Sequence, residues 1–418
     1  MTNWQEVKLG EICTIIDGDR GKNYPKSNEL QPQGYCLFLN TKNVPDNKFN
    51  FSECTFISKD KDELLGKGKL NYGDIVVTTR GTLANFAYYT KKCIYNKIRI
   101  NSGMVILRNE NKDLCTHYLY HFLISNNFKQ QVQSLATGSA QPQLPIKDMK
   151  NIIMNLPPID IQKKIAGVLG ALDDKIELNN KINNNLEQQA QTLFKSWFVD
   201  FEPFGGKMPD DWKVGNLLDI ADYLNGLAMQ KFRPAENDKG LPVLKIKELR
   251  QGFCDSNSEL CSLNVKNEYI VNDGDVIFSW SGSLLVDFWC GGKCGLNQHL
   301  FKVTSKNFDK WFYFLWTKHY LEHFAFIAAD KATTMGHIKR EELEKAKVII
   351  PSSECYQKMK QIMTPIYNLL ISNRVENTRL SALRDTLLPK LMSGEIDVSN
   401  VDISALTSAD KLSFNEGE

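Results

Sequence analysis

The sequence predicts an α+β protein: two similar mixed α/β halves, each followed by a long helix. Three observations carry that reading. A segment at the start recurs at mid-chain, each half combines alternating apolar segments with aromatic-rich helical ones, and each half ends in an apolar stripe with helical stepping.

The recurrence comes first because a duplicated unit fixes the architecture before any single residue is interpreted. Trp4-Gln5-Glu6-Val7-Lys8-Leu9-Gly10-Glu11-Ile12, running on to Gly18, returns as Trp212-Lys213-Val214-Gly215-Asn216-Leu217-Leu218-Asp219-Ile220, running on to Gly226. Tyr72-Gly73-Asp74-Ile75-Val76-Val77-Thr78-Thr79-Arg80-Gly81-Thr82 returns as Asp273-Gly274-Asp275-Val276-Ile277-Phe278-Ser279-Trp280-Ser281-Gly282-Ser283, in each case a Gly-Asp turn entering an apolar strand. Leu144 to Met149, ahead of Pro157, corresponds to Ile338 to Leu343, ahead of Pro351. Within the halves, Ile75 to Thr79, Met104 to Leu107, Val243 to Ile246 and Val276 to Ser279 read as short strands. His117 to Ile124 and Trp311 to Trp316 read as helices whose rings fill a core, and His117 and His121 are expected to pack there beside Tyr118 and Phe122.

In the first long helix Ile161, Ile165, Val168, Leu172 and Ile176 step by three or four, and Leu186, Ala190, Leu193 and Trp197 resume the seam. The second carries Met359, Met363, Ile366 and Leu370, then Leu380, Leu387 and Leu391. Between the apolar runs the stepping lands on Asn179 and Asn183 in the first and on Asn373 and Asn377 in the second. A pattern of about 35 to 40 residues exceeds most globular helices and reads as a coiled coil. Pro365 predicts a kink or a late start in the second helix. Val199 to Asp211, with Pro203, Gly205, Gly206 and Pro209, reads as a linker, and the acidic stretch from Gly394 as a flexible tail.

Composition sets the outer limits. The 418 residues exceed one core of roughly 100 to 200 residues. Lys+Arg of 51 against Asp+Glu of 49 leaves a net charge of +2, so a nucleic-acid surface would require local clustering of cations. Ten irregularly spaced cysteines, no signal-like opening and no apolar run near ~18 residues point to a reducing cytoplasm. Cys290 and Cys294 with His299 nearby are spaced C-x3-C with no second pair, so free thiols and no metal are expected.

The repeated order, with Leu144 to Met149, Pro157-Pro158, Gln162-Lys163-Lys164-Ile165 and Leu387-Leu388-Pro389-Lys390-Leu391-Met392-Ser393-Gly394-Glu395, resembles the specificity subunit of a type I restriction-modification system across almost the whole chain. The resemblance implies two target-recognition domains, residues 1–157 and 212–351, each reading one half of a bipartite site in double-stranded DNA. It implies long spacer helices over 158–199 and 352–393 that pair antiparallel, joined to the rest by the linker 200–211 and the tail 394–418. An antiparallel pair related by a pseudo-twofold brings Asn179 to Asn377 and Asn183 to Asn373. The resemblance also implies partners: methyltransferase subunits and a motor and nuclease subunit. S-adenosylmethionine, ATP and magnesium would then belong to those partners, and no cofactor to this chain.

The residues themselves favour binding over chemistry. No Asn-Pro-Pro-aromatic methylation motif occurs, Gly66-Lys67-Gly68 lacks the third glycine of a dinucleotide fingerprint, and no Gly-Lys pair precedes Ser or Thr as a phosphate loop requires. A protein-binding coiled-coil scaffold remains the alternative. The candidate DNA contacts in the first half are Arg20, Lys22, Lys42, Asn43, Arg80 and Thr82, with Lys91, Lys92, Lys97 and Arg99 as further cations. Those in the second are Lys231, Arg233, Lys247, Arg250, Ser281 and Ser283, with Lys245 beside them. Two polar loops complete the set, Thr137 to Gln143 with Gln141 and Gln143, and Lys331 to His337 with Thr333, Thr334 and His337, because Gln bonds adenine bidentately and Ser or Thr reaches bases and phosphates.

Overall fold

The computed structural model describes residues 4–138, 142–236, 239–330 and 338–403. The chain divides into two compact units, residues 1–173 with 383–418 and residues 174–382. The division falls inside the long helices, not at their ends, so each unit owns one recognition half and a piece of both helices.

In the first unit an antiparallel sheet takes the order Thr14–Asp17, Met104–Arg108, Ile75–Thr78, Phe86–Tyr88. A second sheet sets Cys36–Leu39 antiparallel to Phe56–Ile57 and parallel to Ile98–Ile100. Gln5–Lys8 pairs with Ile153–Leu156, closing the half on itself before the first long helix leaves. The second unit repeats each part. Asp222–Asn225, Leu300–Thr304, Val276–Ser279 and Leu285–Phe288 form the antiparallel sheet. Leu241–Leu244 lies between Leu260–Cys261 and Cys294–Leu296, and Lys213–Asn216 pairs with Lys347–Ile350. The Gly-Asp turns are structural twins: Gly73 and Gly274 both take positive φ, and Asp74 and Asp275 accept the backbone N–H of Asn71 and Asn272 at 2.7 and 2.9 Å. Each carboxylate also meets a cation from the next strand, Arg108 or Lys302.

Both long helices run for 40 residues, Ile159–Phe198 and Ser353–Met392. The second starts at Ser353 and continues past Pro365, which corrects the expected late start. Pro365 and Gln361 are exposed, so the Gln361 carbonyl that loses its N–H partner lies where water serves it. In the second unit the helices pair antiparallel through the asparagines: Asn179 Nδ2 donates to Asn377 Oδ1 at 2.8 Å and Asn373 Nδ2 to Asn183 Oδ1 at 2.9 Å. Asn179, Asn183 and Asn373 are buried and Asn377 half-buried. Of the apolar seam residues, Ile165, Ala190, Trp197, Met359, Met363, Leu370 and Leu391 are buried, while Leu172, Ile176, Leu186, Leu193, Leu380 and Leu387 are only half-buried. Leu169 and Phe194, off the expected stepping, are buried as well, because the helices also pack on the recognition halves and the apolar face widens past a simple seam.

Where each half meets its long helix, one geometry is built from different side chains. Gln162 Oε1 accepts the N–H of Cys115, at the start of helix Thr116–Ile124, while its Nε2 donates to the carbonyls of Asp113 and Pro157. At the matching place the Tyr356 hydroxyl accepts the N–H of Asp309, at the start of helix Lys310–His319, and donates to the Asp309 carboxylate. The rings from Trp311 to Trp316 are buried, as the sequence predicts, and so is His121.

Two further expectations change. The strand expected to reach Ile246 ends at Leu244, and Ile246 opens a helix to Gln251, started by Glu248 accepting the Lys245 N–H and stopped by Gly252 at φ +83°. The tail is not wholly loose: Val398 is buried, and Ile396 and Val401 pack on the same core as Trp4. Residues 404–418 lie outside the described residues.

Replacing Asn373 with alanine leaves the buried Asn183 carboxamide oxygen without its donor and should lower the unfolding free energy by about 1–3 kcal/mol. The double variant N183L/N373L should recover much of that loss, since apolar groups replace both partners. Urea titration reads both, and an Asn373→Ala midpoint equal to the parent's rejects the pairing.

Candidate nucleic-acid interface

In the first unit the candidates converge on a turn that was not among them, Asn101-Ser102-Gly103, between strands Ile98–Ile100 and Met104–Arg108. Its backbone is fixed from three sides: Asn101 N–H donates to Leu39 O, Thr79 N–H donates to Gly103 O, and Gly18 lies so close that a Cβ there would stand 2.2 Å from Asn101 O. Arg20 reaches the turn by donating to Ser102 O at 3.2 Å, while its guanidinium is also held by Asp17 at 3.0 Å. Thr41, next to Lys42, and Arg80 flank Gly103, whose added Cβ would meet Thr41 Cγ2 at 3.3 Å and Arg80 Cβ at 3.8 Å. Gln143 is bridged to Arg80 through its backbone. Lys42, Arg80, Thr82 and Gln143 are all exposed.

The loop carrying Arg20 and Lys22 is pinned by Asp19, whose carboxylate accepts the N–H of Gly21 at 2.8 Å and of Gly66 at 2.9 Å. These bonds, led by that from Gly21, hold the Asp19 carboxyl below the usual carboxylate range. Lys22 is exposed on that loop.

The second unit repeats the turn as Asn297-Gln298-His299. Asn297 N–H donates to Leu244 O, and Gly226 sits against Asn297 as Gly18 does against Asn101. Lys247 and Ser283 are exposed, with Lys247 paired to Asp255 at 3.3 Å, and Arg250 is exposed one turn further along the same short helix. Ser283 is the counterpart of Thr82: each lends its carbonyl to a strand-end hydroxyl, from Ser279 at 2.9 Å and from Thr78 at 2.5 Å. Lys231 and Arg233 are exposed on the segment that follows Leu227, which is itself bridged to Asn297.

Three candidates move inward. Asn43 is 2% exposed and its amide is committed to the fold, with Nδ2 donating to the carbonyls of Asn50 and Glu53 and Oδ1 accepting the Asn40 N–H. Ser281 is 5% exposed and its hydroxyl faces His299 Nδ1 at 3.2 Å. Arg99 is buried against Asp62. A polar residue after a strand looks the same in sequence whether it faces solvent or folds back to close a loop, which hides the burial of Asn43 and Ser281, whereas Arg99 lies within strand Ile98–Ile100 and is drawn in by Asp62. Gln141, Thr333, Thr334 and His337 lie outside the described residues.

The sequence reading missed a surface in the second unit. Trp280, Phe301, Asn225 and Tyr269 line an open groove whose rim carries Lys339 and Arg340. The signal that could have found it is the strand register, which places Phe301 opposite both Asn225 and Phe278.

Alanine at position 43 should remove the three hydrogen bonds that the buried amide makes to loop backbone and lower stability by about 1–3 kcal/mol. A melting temperature unchanged from the parent would return Asn43 to the surface candidates.

A family model for the type I restriction modification DNA specificity domain matches residues 1–188 and 209–381. The MjaIX type I restriction enzyme specificity subunit of Methanocaldococcus jannaschii is 28% identical over 349 residues, covering 79% of each chain. The HindI specificity subunit of Haemophilus influenzae is 24% identical, covering 95% of this chain and 100% of that one. The crystal structure of a type I restriction-modification S subunit from M. genitalium has a similar fold, with a TM-score of 0.58 at 15% identity over 93% of this chain and 96% of that one. Among the described residues no helix is long and apolar enough to cross a membrane. With the family model matched in both halves, the chain belongs to the type I restriction-modification DNA specificity family, as a sequence-specificity subunit and not a catalytic one.

Proposed function

We propose that the two recognition halves read the two halves of one bipartite site in double-stranded DNA, while the long helices set the gap between them and dock methyltransferase subunits. One observation supports this most: the same glycine-buttressed turn recurs in each unit, as Asn101-Ser102-Gly103 beside Arg20, Thr41 and Arg80 and as Asn297-Gln298-His299 beside Ser281. A shared frame with divergent exposed residues suits two readers of different sequences. Exposed cations such as Lys42, Arg80, Lys247 and Arg250 would hold phosphates, and polar groups such as Thr82, Gln143 and Ser283 would reach base edges. Base methylation, with S-adenosylmethionine, and ATP-driven translocation and cutting, with magnesium, belong in this reading to partner subunits, and the complex works in the cytoplasm.

Exchanging residues 212–350 for the matching segment of a relative should change one half of the methylated site and leave the other intact, as read by methylome sequencing of cells that also express the methyltransferase subunits. Alteration of both half-sites overturns the two-reader arrangement.

The spacer role has its own test. Four residues inserted at matched points in both long helices add about 6 Å and roughly one helical turn. At ~3.4 Å per base pair the half-sites should separate by one or two positions with unchanged sequences. An active complex that keeps its original spacing means that the helices do not measure the gap.

A further inference from the structure

The groove in the second unit is not something the repeated frame needs. By strand register Asn225 faces Phe301 as Asp17 faces Val105, and Trp280 occupies the place of Thr79, their carbonyl oxygens accepting from the N–H groups of Ile338 and Leu144 respectively. The first unit therefore builds this frame with a threonine that is 4% exposed and a fully buried valine. The second unit has a half-exposed tryptophan and a half-exposed phenylalanine there, with ring centroids 5.7 Å apart and planes inclined by 34°. At the rim, Lys339 and Arg340 replace Pro145 and Ile146, and among the described residues that line the groove there is no carboxylate. Both rings pack on the core of this unit, yet they leave aromatic surface half in water at positions where the fold accepts Thr and Val.

The polar group in the groove is already oriented. Trp280 Nε1–H donates to Asn225 Oδ1 at 3.1 Å, and an indole N–H can only donate, so the amide oxygen is fixed on the Trp280 side. Asn225 is exposed and thus presents its NH2 group, a donor. The site offers a donor beside an apolar aromatic wall, flanked by two cations. Among base edges in the major groove, thymine alone places an acceptor, O4, next to a methyl group; guanine offers acceptors without a methyl, and cytosine offers a donor.

Resting on the proposal that this half reads DNA, we propose that the groove reads an A·T pair from its thymine side. The Trp280 and Phe301 rings take the 5-methyl group, the Asn225 amide donates to O4, and Lys339 and Arg340 hold the flanking phosphates.

The test uses the complex of the full chain with its methyltransferase subunits. The half-site of the second unit is first assigned by the segment exchange described above. Thymidines in that half-site are then replaced one at a time by deoxyuridine in synthetic duplexes, and binding is measured at fixed salt. One position should lose about fourfold in affinity, the worth of one buried methyl group. Trp280→Ala should make thymine and uracil equivalent at that position, while the sequence read by the first unit stays the same, which serves as the check on folding. If every uracil duplex binds the parent complex as tightly as its thymine counterpart, the proposal is wrong whether or not the variant folds. Thymine preference that survives in a folded Trp280→Ala complex overturns it as well. If the exchange instead fails to move one half-site, the two-reader proposal itself has failed, and the two failures remain distinct.

Discussion

A primary amide buried between two helices must find another polar group or lose the full cost of its desolvation, and this constraint organises the centre of the molecule. Asn179 meets Asn377 and Asn373 meets Asn183, so a shift of either helix by one turn would leave one asparagine pair where there are now two. Leucines alone would tolerate such sliding, because their contacts are non-directional. Charged groups around the pair extend the same restriction: Glu376 accepts from Asn179 at 2.8 Å and pairs with Lys175 at 3.3 Å, and Arg374 joins Glu187 to Asp287. The hydrogen bond from Asn179, ahead of the lysine, holds the Glu376 carboxyl below its usual range. Register thus rests on directional bonds, and apolar burial supplies the affinity.

The recognition halves use the other device available to a loop that must stay rigid in water. Asn101 and Asn297 are clamped from below by a glycine whose missing side chain allows backbone to meet backbone. A Cβ at Gly18 or Gly226 would stand 2.2 Å from the turn's carbonyl oxygen. The clamp leaves the outward side chains free to vary, and Ser102-Gly103 against Gln298-His299 shows how far they have.

The duplication, the two long helices and the matched asparagines were all legible in the sequence, because each repeats at a fixed spacing along one chain. What stayed hidden depends on strand register. Trp280 and Asn225 are far apart in sequence and become neighbours only when Asp222–Asn225 and Val276–Ser279 both pair with Leu300–Thr304. The burial of Asn43 and Ser281 is hidden for a related reason: each sits beside an exposed residue, Lys42 or Gly282, and the bonds to Asn50 and Glu53, or to His299, join it to residues distant in sequence. Phe194 outranks the seam residues Leu186 and Leu193 in burial because the helix serves two contacts, and helical stepping reports only one.

The junction between each half and its helix bears on how such chains can recombine. Gln162 and Tyr356 do the same work on the N–H groups of Cys115 and Asp309, yet a carboxamide and a phenol reach by different lengths. A crossover just upstream of either helix would seat a foreign half on a helix whose tether was shaped for another. A crossover upstream of either helix should therefore succeed when the donor carries the same tether residue, as the 212–350 exchange requires at Tyr356, and otherwise the breakpoint should fall downstream of it.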